Sequence, residues 1–383
     1  MGELGRLGLV LHPSRDVGEA TDVVVDWAAR RGVTVCVDER DRARVASAVP
    51  VPAGLLTTCD ALVSIGGDGT MLGALRLVAD DPRPVLGVNM GRLGFLVEIE
   101  LPELRGALDR LADGDVTVER HSCLRVTIGD QARVAFNDLA LSRSPGESTV
   151  NAILTIDGQQ YGYYRADAVI MATPTGSTAH SYSAGGPLLS PSTDAVVITP
   201  VAPMSGISRP LVLAAGEHVE FGLLPDPGPN AHGYRGLLRG DVPADDLRGG
   251  EQIDGSTGGL RAGGNGSGGG LHTSGGGPAG GDRTSGGLRD GGYDEGAGFP
   301  DEEHAGRPAV ETDGQVVDHL EPGRTVRAEL RPDAGLVVRL DVRTHRQRSQ
   351  AKLSLLDLPL LPDQMRELLP PHVRDQLARR ELP

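Results

Sequence analysis

The stretch SIGGDGTMLG, Ser64 to Gly73, sets four glycines around a single acid directly after the apolar run ALVSI. A strand over Asp60 to Ile65 would end at the carboxyl edge of a sheet, where open α/β sheets bind their ligands. Gly66, Gly67 and Gly69 carry no side chains to keep a phosphate from the backbone amides. A helix beginning near Thr70 would aim its free N–H groups and positive dipole end at the same point. So bare a backbone suits a polyphosphate. Asp68 would repel it unless a divalent cation stood between them or the carboxylate served as base for an attacking hydroxyl, and phosphoryl transfer uses both. The local alternative is a turn in which Asp68 caps the helix. No GxxxxGK[ST] loop occurs in the chain, so a nucleotide must be held in another way.

Outward from this point, strand and helix patterns alternate through the first hundred residues. LGLVLH (7–12), VTVCVDE and PVLGVN are apolar and β-rich, while VGEATDVVVDWAARRG (17–32), TMLGALRLVAD and LPELRGALDRLADGD carry apolar residues at helical spacing. This alternation predicts a parallel sheet covered by helices, with a mixed α+β layer as the alternative. From Val116 the texture changes to strand runs separated by turns: LRVTIGD, RVAFNDLALSR, AILTIDGQQ, AVVITPV and LVLAAGEHVEFGLL, then AVETDGQVVDHL, RTVRAEL and GLVVRLDV. An α/β domain over 1–114 and a β-rich domain over 115–345 are expected. Residues 249–298 interrupt the second, for 22 of these 50 positions are glycine. Such a segment cannot bury enough apolar surface to offset its ordering entropy, so about residues 226–306 are expected to form a disordered insert. A long surface loop costs little, and a neutral insert is preferred here to a partner-binding one. The stretch 346–383 is amphipathic and is expected to be a helical tail packing back on the protein.

With 37 basic against 52 acidic residues, the 383-residue chain has a net charge of −15, which counts against nucleic acid as a partner. Cys36, Cys59 and Cys123 are widely spaced without metal-ligand spacing. No apolar run is long enough for a signal peptide or a membrane span. A soluble, cytoplasmic protein is expected.

A second constellation narrows the chemistry. ATPTGSTAHSYSAGGPLLSP, Ala172 to Pro191, crowds hydroxyls and glycines between two strand patterns, where they can bond ribose and phosphate oxygens. With GGDGT (66–70), NMGRLGFL (89–96), FNDLAL (136–141), RADAVIMATPTGSTAHSYSAGGP (165–187), RPLVL (209–213) and DGQ (313–315), the chain resembles the bacterial ATP-NAD kinases. These motifs span nearly all of it outside the insert. GGDGT alone is shared with lipid kinases, whereas TPTGST followed by SAGGP is far more specific.

The resemblance implies a phosphofructokinase-like N-terminal domain, a β-rich C-terminal domain, and a homodimer or homotetramer with active sites formed between subunits. It implies transfer of the terminal phosphoryl group of ATP or polyphosphate to the 2′-hydroxyl of the NAD adenosine ribose, with Mg²⁺ near Asp68. Asp68 would be the catalytic residue, acting as base or through Mg²⁺, with Gly66, Gly67, Gly69 and Thr70 around it. Asn137 and Asp138 would hold NAD, an Asx turn being the plain alternative. Arg165 and Asp167 would line the nucleotide site unless they form a structural pair. Thr173, Thr178, Ala179, His180 and Ser183 would surround the adenosine, and Gln315 would be a late nucleotide contact. The sequence departs from the family at Asp138, where Glu is usual, at His180 for Tyr, at Ala166 for Gly or Ser, and at Met204 for His. These departures keep a non-catalytic NAD(H)-binding paralogue in view as the alternative to a kinase, with a lipid kinase behind it.

Overall fold

The computed structural model describes residues 4–90, 94–97, 99–144, 149–224, 307–343, 345 and 347. The Gly-rich insert lies outside the described residues, and so does the C-terminal tail apart from Gln347. Everything below belongs to one compact unit, built from residues 1–226 and 304–383.

The N-terminal part runs β1 (Arg6–Leu11), α1 (Gly18–Arg31), β2 (Thr34–Asp38), β3 (Val49–Val51), β4 (Ala61–Gly66), α2 (Asp68–Leu77), β5 (Pro84–Asn89), β6 (Ile99–Glu100) and α3 (Leu104–Asp113). Its strands pair in parallel in the order β3-β2-β1-β4-β5. β4 reads ALVSIG and is buried along its whole length, as a strand covered on both faces must be. One face packs on α1 and α3, which Trp27 joins by donating to Asp109 at 2.9 Å. The other packs on α2 through Met71, Leu72 and Leu75. The carboxyl end of β4 therefore opens directly into the first turn of α2, as the opening glycines predict.

The C-terminal part continues with β7 (Thr117–Ile128), β8 (Gln131–Ala135), β9 (Asp138–Ser142), β10 (Val150–Ile156), β11 (Gln159–Ala166), β12 (Ala168–Ala172), the short α4 (His180–Ser183), β13 (Ala195–Val201), β14 (Ser205–Gly206), β15 (Leu211–Ala214), β16 (Val219–Leu223), β17 (Ala309–Thr312), β18 (Gln315–His319) and β19 (Thr325–Arg339). Six of these strands form an antiparallel sheet in the order β15-β13-β12-β9-β17-β18. The others extend the first sheet. β19 pairs parallel to β5 through Leu336 and Val337, and antiparallel to β7 and β16. Apolar side chains of the two sheets face each other: Leu124, Val126, Tyr164 and Phe221 from one, Leu139, Leu141, Val169 and Met171 from the other.

Two local expectations change. RTVRAEL and GLVVRLDV are one strand, whose register shifts between Arg331 and Gly335 where Asp333 takes a positive φ of 54°. The turn signal RPDA is absorbed as a bulge instead of ending the strand. α2 starts at Asp68, two residues before the expected Thr70, because Gly67 takes the N-cap position. No helix among the described residues is long and apolar enough to cross a membrane.

Phe136 is buried in the same cluster as Leu75 of α2 and Ala334 of β19. Phe136→Ala should therefore loosen both parts together and cost about 3–5 kcal/mol, read from the shift of a denaturant unfolding midpoint.

Candidate active site

Asp68 stands in the first turn of α2, but its carboxylate does not cap that helix, and Gly67 provides no side-chain cap either. It turns instead to the loop after β5. Oδ2 accepts the amide of Phe95 at 2.6 Å, and Oδ1 accepts those of Leu96 at 3.0 Å and Val97 at 3.3 Å. Hydrogen bonds to an ionised acceptor are stronger than neutral ones, so the loop and the acid hold each other. The loop comes this close because residue 94 is glycine: a Cβ there would lie 1.9 Å from Asp68 Oδ1.

Beside the glycines lies a cavity of about 840 Å³. Gly67, Gly69 and Thr70 form one wall, Arg15, Arg40 and Arg76 bring three guanidinium groups, and Gln315 closes another side. Backbone amides at a helix N-terminus together with arginines make a site for an anion of several phosphates.

A residue that the sequence reading passed over ties this wall to the next motif. Asp313, whose side chain is fully buried, accepts Arg76 Nη1 at 2.7 Å and the amides of Phe136, Asn137 and Asp138 at 3.2, 2.6 and 3.3 Å. Its signal was the DG pair: Asp313 and Gly314 have φ of 50° and 74° and form the two-residue turn between β17 and β18. One buried carboxylate thus fixes α2, the Asn137-Asp138 segment and the hairpin bearing Gln315.

Asn137 also touches the TPTGST loop. Its carbonyl accepts the Thr173 amide at 2.9 Å, and a Cβ on Gly176 would lie 1.8 Å from that oxygen, so only glycine fits. The Asn137 carboxamide makes no hydrogen bond among the described residues, which removes the Asx turn. Thr173 is buried, donates Oγ1 to Phe136 O at 2.6 Å and accepts the Gly176 amide at 3.0 Å. Its hydroxyl shapes the loop. Thr178 and Ala179 are half-buried, while His180 and Ser183 are exposed. The Asp138 carboxyl is buried and faces the His180 backbone N–H; burial, then Asp313 and Glu311, push it up to about 7 despite that bond.

The remaining pair is placed elsewhere. Arg165 and Asp167 stand where β11 passes into β12, at the opposite end of β12 from Thr173. They do not pair with each other: Asp167 bonds Arg143 at 3.0 Å, and Arg165 Nε is buried with no hydrogen-bond partner. Met204 gives its amide to Arg165 O at 2.7 Å and leaves its side chain 66% exposed. Among the described residues no group of three His, Cys, Asp or Glu could hold a metal.

Two family models match in chain order: the ATP-NAD kinase N-terminal domain over residues 7–116 and the ATP-NAD kinase C-terminal domain over residues 136–230. The chain belongs to the ATP-NAD kinase family. The NAD kinase of Desulforamulus reducens is 36% identical over 250 residues, covering 61% of this chain and 85% of that protein. NAD kinase 1 of Streptomyces avermitilis is 33% identical over 277 residues, covering 61% and 77%. Among solved structures, yeast NADH kinase complexed with NADH superposes with a TM-score of 0.65 at 18% identity, covering 94% of this chain and 91% of that one. An NAD kinase from Archaeoglobus fulgidus in complex with ATP gives 0.54 at 19%, covering 89% and 95%. These two share the fold. As an NAD kinase the protein is a phosphotransferase that makes NADP from NAD. The lipid-kinase and non-catalytic readings gain no support.

The buried acid gives this kinase a pH signature. Folded, Asp138 keeps its proton up to about 7, whereas the unfolded chain releases it near 3.9. Its contribution to stability is full below pH ~4 and is lost as pH rises towards 7, a few kcal/mol in all. Asp138→Asn should flatten that decline in the NAD-free protein, as followed by thermal unfolding between pH 4 and 8.

Proposed function

We propose that this NAD kinase uses Asp68 as the base at the 2′-hydroxyl of the NAD adenosine ribose, with the phosphoryl donor in the arginine-rich cavity beside it. The observation that carries this is the position of Asp68, held by three amides and flanked in sequence by Gly67 and Gly69, which line the cationic cavity. A fixed carboxylate can take a proton from the hydroxyl as it attacks, and positioning of this kind supplies much of the rate in phosphoryl transfer. Asn137 and Asp138 would hold the ribose and amide groups of NAD. The buried Asp138 becomes a good acceptor once ribose hydroxyls replace the water it lacks, so NAD affinity should rise with pH through about 7. Thr178, Ala179 and Ser183 would flank the adenosine, with His180 giving its backbone N–H to Asp138.

ATP is the donor that the family description and the ATP complex of the Archaeoglobus fulgidus kinase favour. The cavity joins guanidinium groups to an apolar wall of Val10, Leu11, Pro13 and Leu77, which suits a nucleotide, and its cationic part leaves polyphosphate as a second donor. Mg²⁺ suits the site: one carboxylate is enough for an ion that keeps several waters and takes its other ligands from phosphates. Its chemistry there would be to offset charge on the transferring phosphoryl.

Arg165 and Asp167 stand one strand length from Thr173, about 20 Å for six extended residues. The orphaned Arg165 Nε and this separation support a homodimer or homotetramer in which these two residues serve a neighbouring copy's site. Three free, buried thiols fit a cytoplasmic location.

Asp68→Asn should keep NAD binding by calorimetry and lower NADP formation by about 10²-fold or more with either donor. Near-normal turnover would remove Asp68 from the chemistry. Mixed oligomers of Asp68→Asn and Asp167→Ala subunits should recover activity that neither parent has, because one kind of site then receives both intact residues. No recovery would place Arg165 and Asp167 outside a shared site.

A further inference from the structure

Behind the site, β7 and β19 bury a polar chain that none of the motifs accounts for. Glu119 and His121 alternate along β7 and so share a face. Register places Val337 opposite Glu119, which brings Arg339 diagonally across on that same face. Arg339 Nε donates to Glu119 Oε2 at 2.6 Å and Nη1 donates to the carbonyl of Leu96 at 2.7 Å. Glu119 Oε2 is 3.7 Å from His121 Nε2, and His121 Nδ1 is 2.9 Å from Thr175 Oγ1. The Arg339 and His121 side chains are 2% and 5% exposed, while Glu119 between them is half-buried at 31%. Burial opposes charge on Glu119, but His121 and Arg339 outweigh it and hold the carboxyl well below the usual range.

The two ends of this chain matter more than its middle. Leu96 is one of the residues whose amides hold Asp68, so Arg339 grips the peptide segment that grips the acid. Thr175 lies inside TPTGST, the loop that packs on Asn137. Burying a guanidinium, a carboxylate and an imidazole together costs more desolvation than an apolar filling of equal volume, so their return is geometric specificity. The chain also has one loose joint. His121 Nε2 has no hydrogen-bond partner, and a shift of about half an ångström towards Glu119 would bring the 3.7 Å gap to bonding length.

We propose that the run Thr175, His121, Glu119, Arg339 and Leu96 couples the TPTGST loop to the amide clamp on Asp68, so that settling of that loop on NAD tightens the acid's orientation. His121, Glu119 and Arg339 are then positioning residues for phosphoryl transfer. The inference rests on Asp68 being the reacting acid.

The test compares His121→Gln, Glu119→Gln, Arg339→Met and Arg339→Lys in the full-length enzyme. Each of the first three should lower kcat about tenfold or more while leaving the NAD dissociation constant within about twofold, since misplacement of a reacting group costs rate before affinity. Arg339→Lys should restore part of the loss. The His121→Gln and Arg339→Met double variant should be no slower than the worse single one, because both cut the same link. Amide hydrogen exchange gives a readout that does not depend on turnover. NAD should slow exchange at residues 95–97 in the parent protein, and His121→Gln, at the other end of the run, should abolish that slowing. Unchanged exchange there, or additive losses in kcat, would overturn the coupling. If Asp68→Asn kept full turnover while the exchange effect remained, the role of Asp68 would fall and the coupling would stand.

Discussion

One buried carboxylate holds the site together. Asp313 has no solvent and no freedom: an arginine from α2 and three successive amides take up its oxygens. Removing it would strand a guanidinium and three N–H groups, each costly to leave unpaired away from water. Because those donors belong to the glycine-loop helix and to the segment that opens β9, the cavity beside the glycines and the Asn137-Asp138 segment keep a fixed distance from each other. Phosphoryl transfer asks the protein for little except such placement.

The same economy recurs at Asp68. Its partners are main-chain amides, which cannot be mutated away, and they reach it only because Gly94 carries no side chain. Gly176 plays the matching part against Asn137. Two glycines in separate motifs therefore act as spacers, setting how closely one backbone approaches another group. Asp138 is the counterweight: burial, with Asp313 and Glu311 nearby, lets it hold a proton up to about 7.

Much of this was legible in the sequence. Periodicity located β1, α1, β4, α2, β5 and α3, because parallel strands buried on both faces read as apolar runs and the helices between them as amphipathic ones. GGDGT and TPTGST pointed to phosphate and ribose chemistry through their composition. What stayed hidden depends on distant pairing. Nothing near RTVRAEL announces that it continues across a turn signal to lie beside β5. Asp313 looked like a turn residue, which it is, and its second role depends on neighbours roughly 175 and 240 positions away. The pairing of Asp167 with Arg143 instead of Arg165 follows from the antiparallel register of β9 and β12, which sets Arg143 beside Asp167 and which a short motif does not reveal.

The parallel pairing of β19 with β5 has a consequence for synthesis. Leu336 lies beside Pro84, so the strand that covers this edge leaves the ribosome roughly 250 residues after it. At about 5–20 residues per second that interval is some 10–50 s. For that time the backbone edge of β5 at Pro84 and Val85 lacks its partner, and such an open edge invites wrong pairing. The order of motifs along this chain therefore leaves part of one edge of its first sheet open through most of synthesis.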